Sequence, residues 1–144
     1  MAYIECNGGG KKATDIISII DSIPAGDFST TGISIYSSRI EIVSGGYCIK
    51  DGMVYGKMKL KSKYNFASND DLALYNLPDI ADHSKLYWAT CYDNDVDNDF
   101  KYSFVIRYYT ASRGVETNML ANQMPHSRFL NNTVATFYFA YPSA

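Results

Sequence analysis

Three aspartates at alternate positions form the pattern in this chain that comes nearest to a metal site. Asp93, Asp95 and Asp97 repeat the D-x-D-x-D rhythm of calcium loops, in which carboxylates supply hard oxygen ligands. The sixth position is Asn98 where an EF-hand has Gly, and the twelfth is Phe104 where it has a bidentate Glu. We therefore expect a solvated acidic hairpin loop, and an irregular calcium site is the alternative.

Residues for covalent or acid–base catalysis do not form a known pattern. His83 and His126 lie in neither a G-x-S-x-G nor an H-E-x-x-H sequence. The glycine-rich segment 8–10 fails the phosphate-loop pattern, because Glu5 and Lys12 stand where Gly and Ser or Thr are needed. We predict a protein without enzymatic activity and without a cofactor. A carbohydrate-active enzyme is the distant alternative, because two of the 15 carboxylates could converge in space.

Lysines recur at every second position between residues 57 and 63. Lys57, Lys59, Lys61 and Lys63 would share one face of a strand, where they could contact an anionic polymer such as a phosphate-rich glycan. The interpretation we favour is that they protect the solvent face of an edge strand against aggregation.

Aromatic side chains are the candidates for ligand contact, since they make up 15% of the chain. Flat aromatic faces suit sugar rings and protein partners alike. Trp88, Tyr92 and Tyr109 are the residues that we single out, and Arg107 shares the outward face of its strand with Tyr109.

Composition limits the possible partners. The net charge of -2 creates no field that would attract nucleic acid, and no apolar run approaches the roughly 20 residues that span a membrane. The first residues, Met-Ala-Tyr-Ile-Glu-Cys, lack the charged and apolar regions of a secretory signal. We expect synthesis in the cytoplasm, no nucleic-acid binding and no membrane insertion.

Isoleucines recur with helical period between residues 14 and 23, which predicts a short amphipathic helix that ends at Pro24. Thr14 or Asp15 is the expected N-cap. The apolar stripe either docks on the protein's own core or forms a seam between chains through Ile16, Ile17 and Ile20.

Two hairpins are predicted from alternation of period two. Asp51-Gly52 is a two-residue turn that would pair Lys50 with Met53 and Ile49 with Val54. The resulting face contains Tyr47, Ile49, Val54, Gly56, Met58 and Leu60. Residues 85–92 and 100–109 form the second hairpin, residues 110–131 are expected to be a long surface connection, and residues 132–141 form the last strand.

Many short strands with a single helix favour an all-β fold over βαβ units. We predict an antiparallel, jelly-roll-like β-sandwich with one short N-terminal helix. Residues 1–26 would contain an N-terminal strand, a Gly linker and the helix, and residues 27–144 would form the sandwich.

Several of these segments together resemble the head domains of bacteriophage tail-fibre and baseplate proteins. The resemblance is carried by the hairpin from Gly45 to Met58, by Leu77-Pro78 and by the aromatic strand from Ala135 to Tyr141, and it covers about residues 32–144. The Gly-aromatic-Arg-Pro segment that often follows Leu-Pro in that family is replaced here by the segment 79–82.

The resemblance implies a homotrimeric, non-enzymatic head on a virion appendage that attaches to host surface glycans or proteins. The alternative is a structural assembly or decoration protein of a phage tail or capsid that binds no ligand. Either protein would be synthesised in the bacterial host cytoplasm and incorporated into the virion.

Overall fold

The computed structural model describes residues 3–4, 11–65, 74–82, 84, 86–93, 97–111, 114–120 and 130–144, with the side chains of residues 16–65, 74–82, 84 and 130–144. Within these residues the chain forms one α-helix, α1 (Ala13–Asp21), and a single turn of 3-10 helix, Ala25–Asp27. The strands are β1 (Tyr3–Ile4), β2 (Lys11–Lys12), β3 (Ser34–Ile35), β4 (Ile40–Lys50), β5 (Met53–Ser62), β6 (Leu74–Tyr75), β7 (Leu86–Asp93), β8 (Asp97–Ala111), β9 (Gly114–Leu120) and β10 (Val134–Pro142).

One antiparallel sheet of six strands dominates the fold, in the order β4-β5-β10-β7-β8-β9. Two small sheets, β1-β2 and β3-β6, accompany it. The chain is therefore mostly antiparallel strand with one short helix, as predicted. The sheets are open rather than closed into a barrel, and the two-layer sandwich stays a prediction.

The predicted β4–β5 hairpin is confirmed in register. Lys50 pairs with Met53 and Ile49 with Val54. Asp51 and Gly52 have φ values of 53° and 75°, which are the left-handed values that a type I′ turn requires at both central positions. Ile49 lies on the predicted apolar face but is 54% exposed, because it stands near the turn on a strand at the edge of the sheet.

The second hairpin is also confirmed, with β7 paired to β8 along residues 86–93. The expectation of a long connection over residues 110–131 is wrong in its first part. Strand β8 continues to Ala111, and Gly114–Leu120 returns as β9 at the edge of the sheet. Polar residues in β9 obscured this strand in the sequence, since an edge strand pairs on one side only and tolerates polar side chains.

One face of the six-stranded sheet, here called the core face, carries the larger hydrophobic cluster. Its buried side chains come from alternate positions of the central strands and from the segments that cover them: Val54, Met58 and Leu60 of β5, Phe137, Phe139 and Tyr141 of β10, and Leu74, Leu77 and Ile80. Full burial of one such apolar side chain stabilises the fold by about 1.5–3 kcal/mol.

The opposite face, here called the helix face, supports α1. Ile16 and Ile20 are 2% and 0% exposed, and they pack with Tyr138 and Ala140 of β10. Ile17 is only partly buried in the same cluster. Docking on the protein's own sheet therefore accounts for two of the isoleucines that were considered for a seam between chains, and that seam stays a prediction.

The helix begins at Ala13, so Thr14 and Asp15 lie in its first turn and the predicted N-cap at either position is wrong. It ends at Asp21. A 3-10 turn follows Pro24, which has no backbone N–H to donate to a helical hydrogen bond. In the described part of the chain, no helix is both long and apolar enough to cross a membrane.

Candidate functional site

A cleft of about 560 Å³ opens on the helix face, beside the C-terminal end of α1. Its floor is formed by three adjacent strands, with Ser44 and Gly45 on β4, Lys57 and Lys59 on β5, and Thr136 on β10. Its wall is the end of the helix and the turn after it, from Asp21 to Ala25 and including Phe28. The volume lies within the range of roughly 300–1,000 Å³ that is typical of small-molecule sites.

The lysines of the floor lie on an interior strand. Strand β5 is hydrogen-bonded to β4 on one side and to β10 on the other. The favoured interpretation of the lysine row, protection of an edge strand, is therefore wrong. The error arose because strand order depends on β10, which pairs with β5 from a distant part of the chain.

Asp21 connects the helix to this floor. The Lys57 ammonium donates to Asp21 Oδ1 at 2.8 Å, and the Tyr138 hydroxyl donates to the same oxygen at 3.1 Å. Lys57 Nζ also lies 5.6 Å from the centre of the Tyr138 ring, within cation–π distance. The side chains of Lys57 and Asp21 are 40% and 46% exposed, so the ion pair itself contributes no more than about 1 kcal/mol to stability.

Lys57 supplies a charge that the helix lacks. An aspartate at a helix C-terminus is unfavourable, because the unpaired carbonyls give that end a partial negative charge. The last turn of α1 contains no basic residue. Lys57 compensates for this from the sheet, and the Ser22 hydroxyl donates to the Ile19 carbonyl at 2.6 Å.

Lys59 differs from Lys57 because, among the described residues, it has no ion-pair partner. It is exposed, and the register pairs it with Ser44 on β4 and with Thr136 on β10. Directly opposed residues share one face of a sheet, so Lys59 lies in a row between two hydroxyl residues. This row can donate hydrogen bonds to an anionic or hydroxylated ligand.

Hydrogen bonds to β4 hold the segment that follows the wall of the cleft. Ser29 and Tyr47 exchange two backbone hydrogen bonds, each 2.9 Å long, and the Tyr47 hydroxyl donates to the Thr31 carbonyl at 2.6 Å. A Cβ atom at Gly46 would lie 2.2 Å from the Ser29 carbonyl oxygen, so only glycine permits this close approach. The segment that carries Pro24 and Phe28 is therefore held at both ends, by α1 and by β4.

The residues that line the cleft define the chemistry that it offers to a ligand. No protein-family model, curated protein or solved structure matches the chain. The Lys59 ammonium group, which has no ion-pair partner among the described residues, lies in this cleft with two hydroxyls, a carboxylate and an apolar wall. Together they suit a ligand that has hydroxyls, an apolar surface and a negative charge.

The residues predicted for ligand contact are described here by backbone only, because their side chains lie outside the described residues. Tyr92 pairs with Thr136, and Trp88 is on the same strand four residues away. Arg107 pairs with Leu86, and Tyr109 pairs with Glu116 on β9. By strand alternation all four positions belong to the helix face, and Tyr92 is beside the floor of the cleft.

Only two of the three aspartates considered for calcium are among the described residues. Asp93 on β7 pairs with Asp97 on β8, whereas Asp95 lies outside the described residues, as do His83 and His126. Among the described residues, His, Cys, Asp and Glu side chains form no group of three or more that could hold a metal ion.

Sequence patterns did not identify Asp21, Ser44 and Thr136, which line the cleft, or Tyr138, which donates a hydrogen bond to Asp21. Asp21 meets Lys57 and Tyr138 across 36 and 117 residues of chain, respectively. No local pattern could bring these positions together. The sequence signal that points to this surface is the lysine row, because Lys57 and Lys59 line the cleft.

Proposed function

We propose that this protein is a non-enzymatic binding module whose ligand is an acidic saccharide bound in the cleft beside α1. The observation that carries the proposal is the position of Lys59, which is exposed on an interior strand without an ion-pair partner among the described residues. An unpaired cation at this place does not protect a sheet edge, but it can bind an anionic group.

The surroundings of Lys59 support a saccharide over a simple ion. Ser44 and Thr136 provide hydroxyls on either side, and Asp21 provides a carboxylate that accepts hydrogen bonds from sugar hydroxyls. Pro24 and Phe28 provide apolar surface against which the less polar face of a sugar ring can pack.

The biological setting that we propose is a virion appendage, as a host-attachment head of the tail-fibre or baseplate type with a β-sandwich fold. The sequence resemblance supports this setting. A homotrimer would present three clefts, and linked sites raise avidity by orders of magnitude, so roughly millimolar affinity for each cleft would be sufficient. A structural tail or capsid protein that binds no ligand is the competing function.

Binding of acidic and neutral glycans on an array tests the proposal, with Lys59→Gln as the diagnostic variant. We expect signal on acidic glycans only, and a loss of about tenfold in affinity in the variant, because a charge-assisted hydrogen bond is removed. Lys61→Gln is the matched control, since it removes the same charge from the same face of β5 outside the cleft.

Equal losses in the two variants would show that binding depends on overall charge and would contradict the assignment to the cleft. Silence on all glycans from host envelopes would favour the structural protein. Folded Trp88→Ala and Tyr109→Ala variants test whether the predicted aromatic residues contribute. Sedimentation that gives a strict monomer at all concentrations would contradict the trimer.

A further inference from the structure

The two lysines that line the cleft differ in whether a carboxylate already pairs with them. Asp21, Lys57 and Lys59 all line it, but Asp21 neutralises Lys57 through the 2.8 Å ion pair. Lys59 has no such partner among the described residues. Within the described residues, Lys59 is therefore the lysine of the cleft whose positive charge is available to a ligand.

The two carboxylate oxygens of Asp21 differ in their hydrogen bonds. Both of its side-chain hydrogen bonds, from Lys57 and from Tyr138, end on Oδ1. Within the described part of the chain, Oδ2 accepts none. Asp21 lines the cleft, and a carboxylate can accept hydrogen bonds from hydroxyls and repels anionic oxygens.

We propose that Asp21 determines the charge selectivity of the cleft, so that it selects a hydroxylated ligand with a single negative charge. The inference rests on the proposed function. The anionic group would bind Lys59, and sugar hydroxyls would donate to Asp21 Oδ2. A neutral sugar leaves Lys59 without its anion, whereas a second negative charge meets the Asp21 carboxylate while Lys57 remains occupied.

Three matched probes test this inference: methyl glucoside, its methyl phosphodiester and its phosphate monoester. At about pH 8 they carry zero, one and two negative charges, because the second phosphate pKa is about 6. Titration monitored by protein NMR gives each dissociation constant. We expect the diester to bind the wild-type protein about tenfold more tightly than either other probe.

In Asp21→Asn the order should change. The variant releases Lys57 from its ion pair and removes the repulsion, so the monoester, which carries two negative charges, should become the tightest ligand. Asp27→Asn is the matched control, because Asp27 is exposed in the 3-10 turn and does not line the cleft. It should keep the wild-type order.

Monoester binding to the wild-type protein that equals or exceeds diester binding would overturn the inference, and so would an unchanged order in Asp21→Asn. In both cases the proposed function stands if Lys59→Gln still weakens binding of the charged probes. If no probe and no acidic glycan binds, the proposed function fails and the selectivity of Asp21 fails with it.

Discussion

The ring of Phe139 occupies the space over Gly56, its direct partner across the β5–β10 ladder, where any larger residue would place a side chain. A Cβ atom at Gly56 would lie 2.0 Å from Phe139 Cζ. Phe139 is 0% exposed and belongs to the main core, so the ring cannot move without disturbing its neighbours.

Gly56→Ala should therefore destabilise the protein strongly. We expect a loss of about 1–3 kcal/mol or more in the free energy of unfolding, because overpacking forces buried side chains out of their preferred rotamers. Urea unfolding monitored by tryptophan fluorescence measures it. Gly26→Ala is the control, since a Cβ there meets no atom within 4 Å, and it should leave stability nearly unchanged.

The contact between Phe139 and Gly56 can also be tested by changing Phe139. Phe139→Leu alone leaves a cavity, but in the double variant with Gly56→Ala the smaller side chain makes room for the new methyl group. The two substitutions should be less destabilising together than the sum of their separate effects. Strict additivity would show that the ring and the glycine do not interact.

Docking of the helix should depend on Ile20 far more than on Ile17. Ile20 is fully buried between α1 and β10, and its truncation to Ala should cost about 2–5 kcal/mol. Ile17→Ala should cost less, because Ile17 is only partly buried. Thermal unfolding compares the two. A larger loss in Ile17→Ala that depends on protein concentration would instead indicate the predicted seam between chains.

Tyr141 should make stability fall in alkaline solution. Burial raises the pKa of its phenol well above the ordinary value, and the nearby Asp79 raises it further. The unfolded chain loses this proton near pH 10, whereas the folded protein retains it, so rising pH favours the unfolded state. The contribution of Tyr141 is present in full below about pH 10 and decreases by about 1.4 kcal/mol per pH unit above it.

Tyr141→Phe separates this effect from those of the other tyrosines. At neutral pH the variant should be less stable by about 1–2 kcal/mol, since the hydroxyl donates to the Pro78 carbonyl at 2.6 Å. Above pH 10 the difference from the wild-type protein should shrink. Urea unfolding at several pH values between neutral and alkaline measures it, and a constant difference would contradict the raised pKa.

Removal of the ion pair should change stability little. Lys57→Met should cost no more than about 1 kcal/mol, because both partners are partly exposed. Asp21→Asn should be nearly neutral, since it keeps acceptor capacity for Tyr138 and removes a negative charge from the helix C-terminus. Thermal unfolding at low and high salt checks both. A loss of several kcal/mol in Asp21→Asn would mean that Asp21 is primarily structural.

Local sequence patterns predicted the parts of the fold that short-range physics controls. Asp51 and Gly52 adopt the left-handed conformation that a two-residue hairpin requires, and this fixed the register of Tyr47 to Leu60 in advance. The isoleucine period likewise predicted α1. Strand β9 was missed because its polar residues do not predict a strand, and its position at the sheet edge beside β8 is set by the tertiary structure.

The sequence by itself determined that the lysines alternate with Met58 and Leu60 and therefore face away from the core, because side-chain alternation is a property of any extended chain. Only the tertiary structure decided that β10 joins β5, that the lysines consequently lie on an interior strand, and that Asp21 approaches Lys57. These contacts join segments far apart in sequence, and they form when the two faces of the sheet bury their apolar residues against the helix and the covering segments.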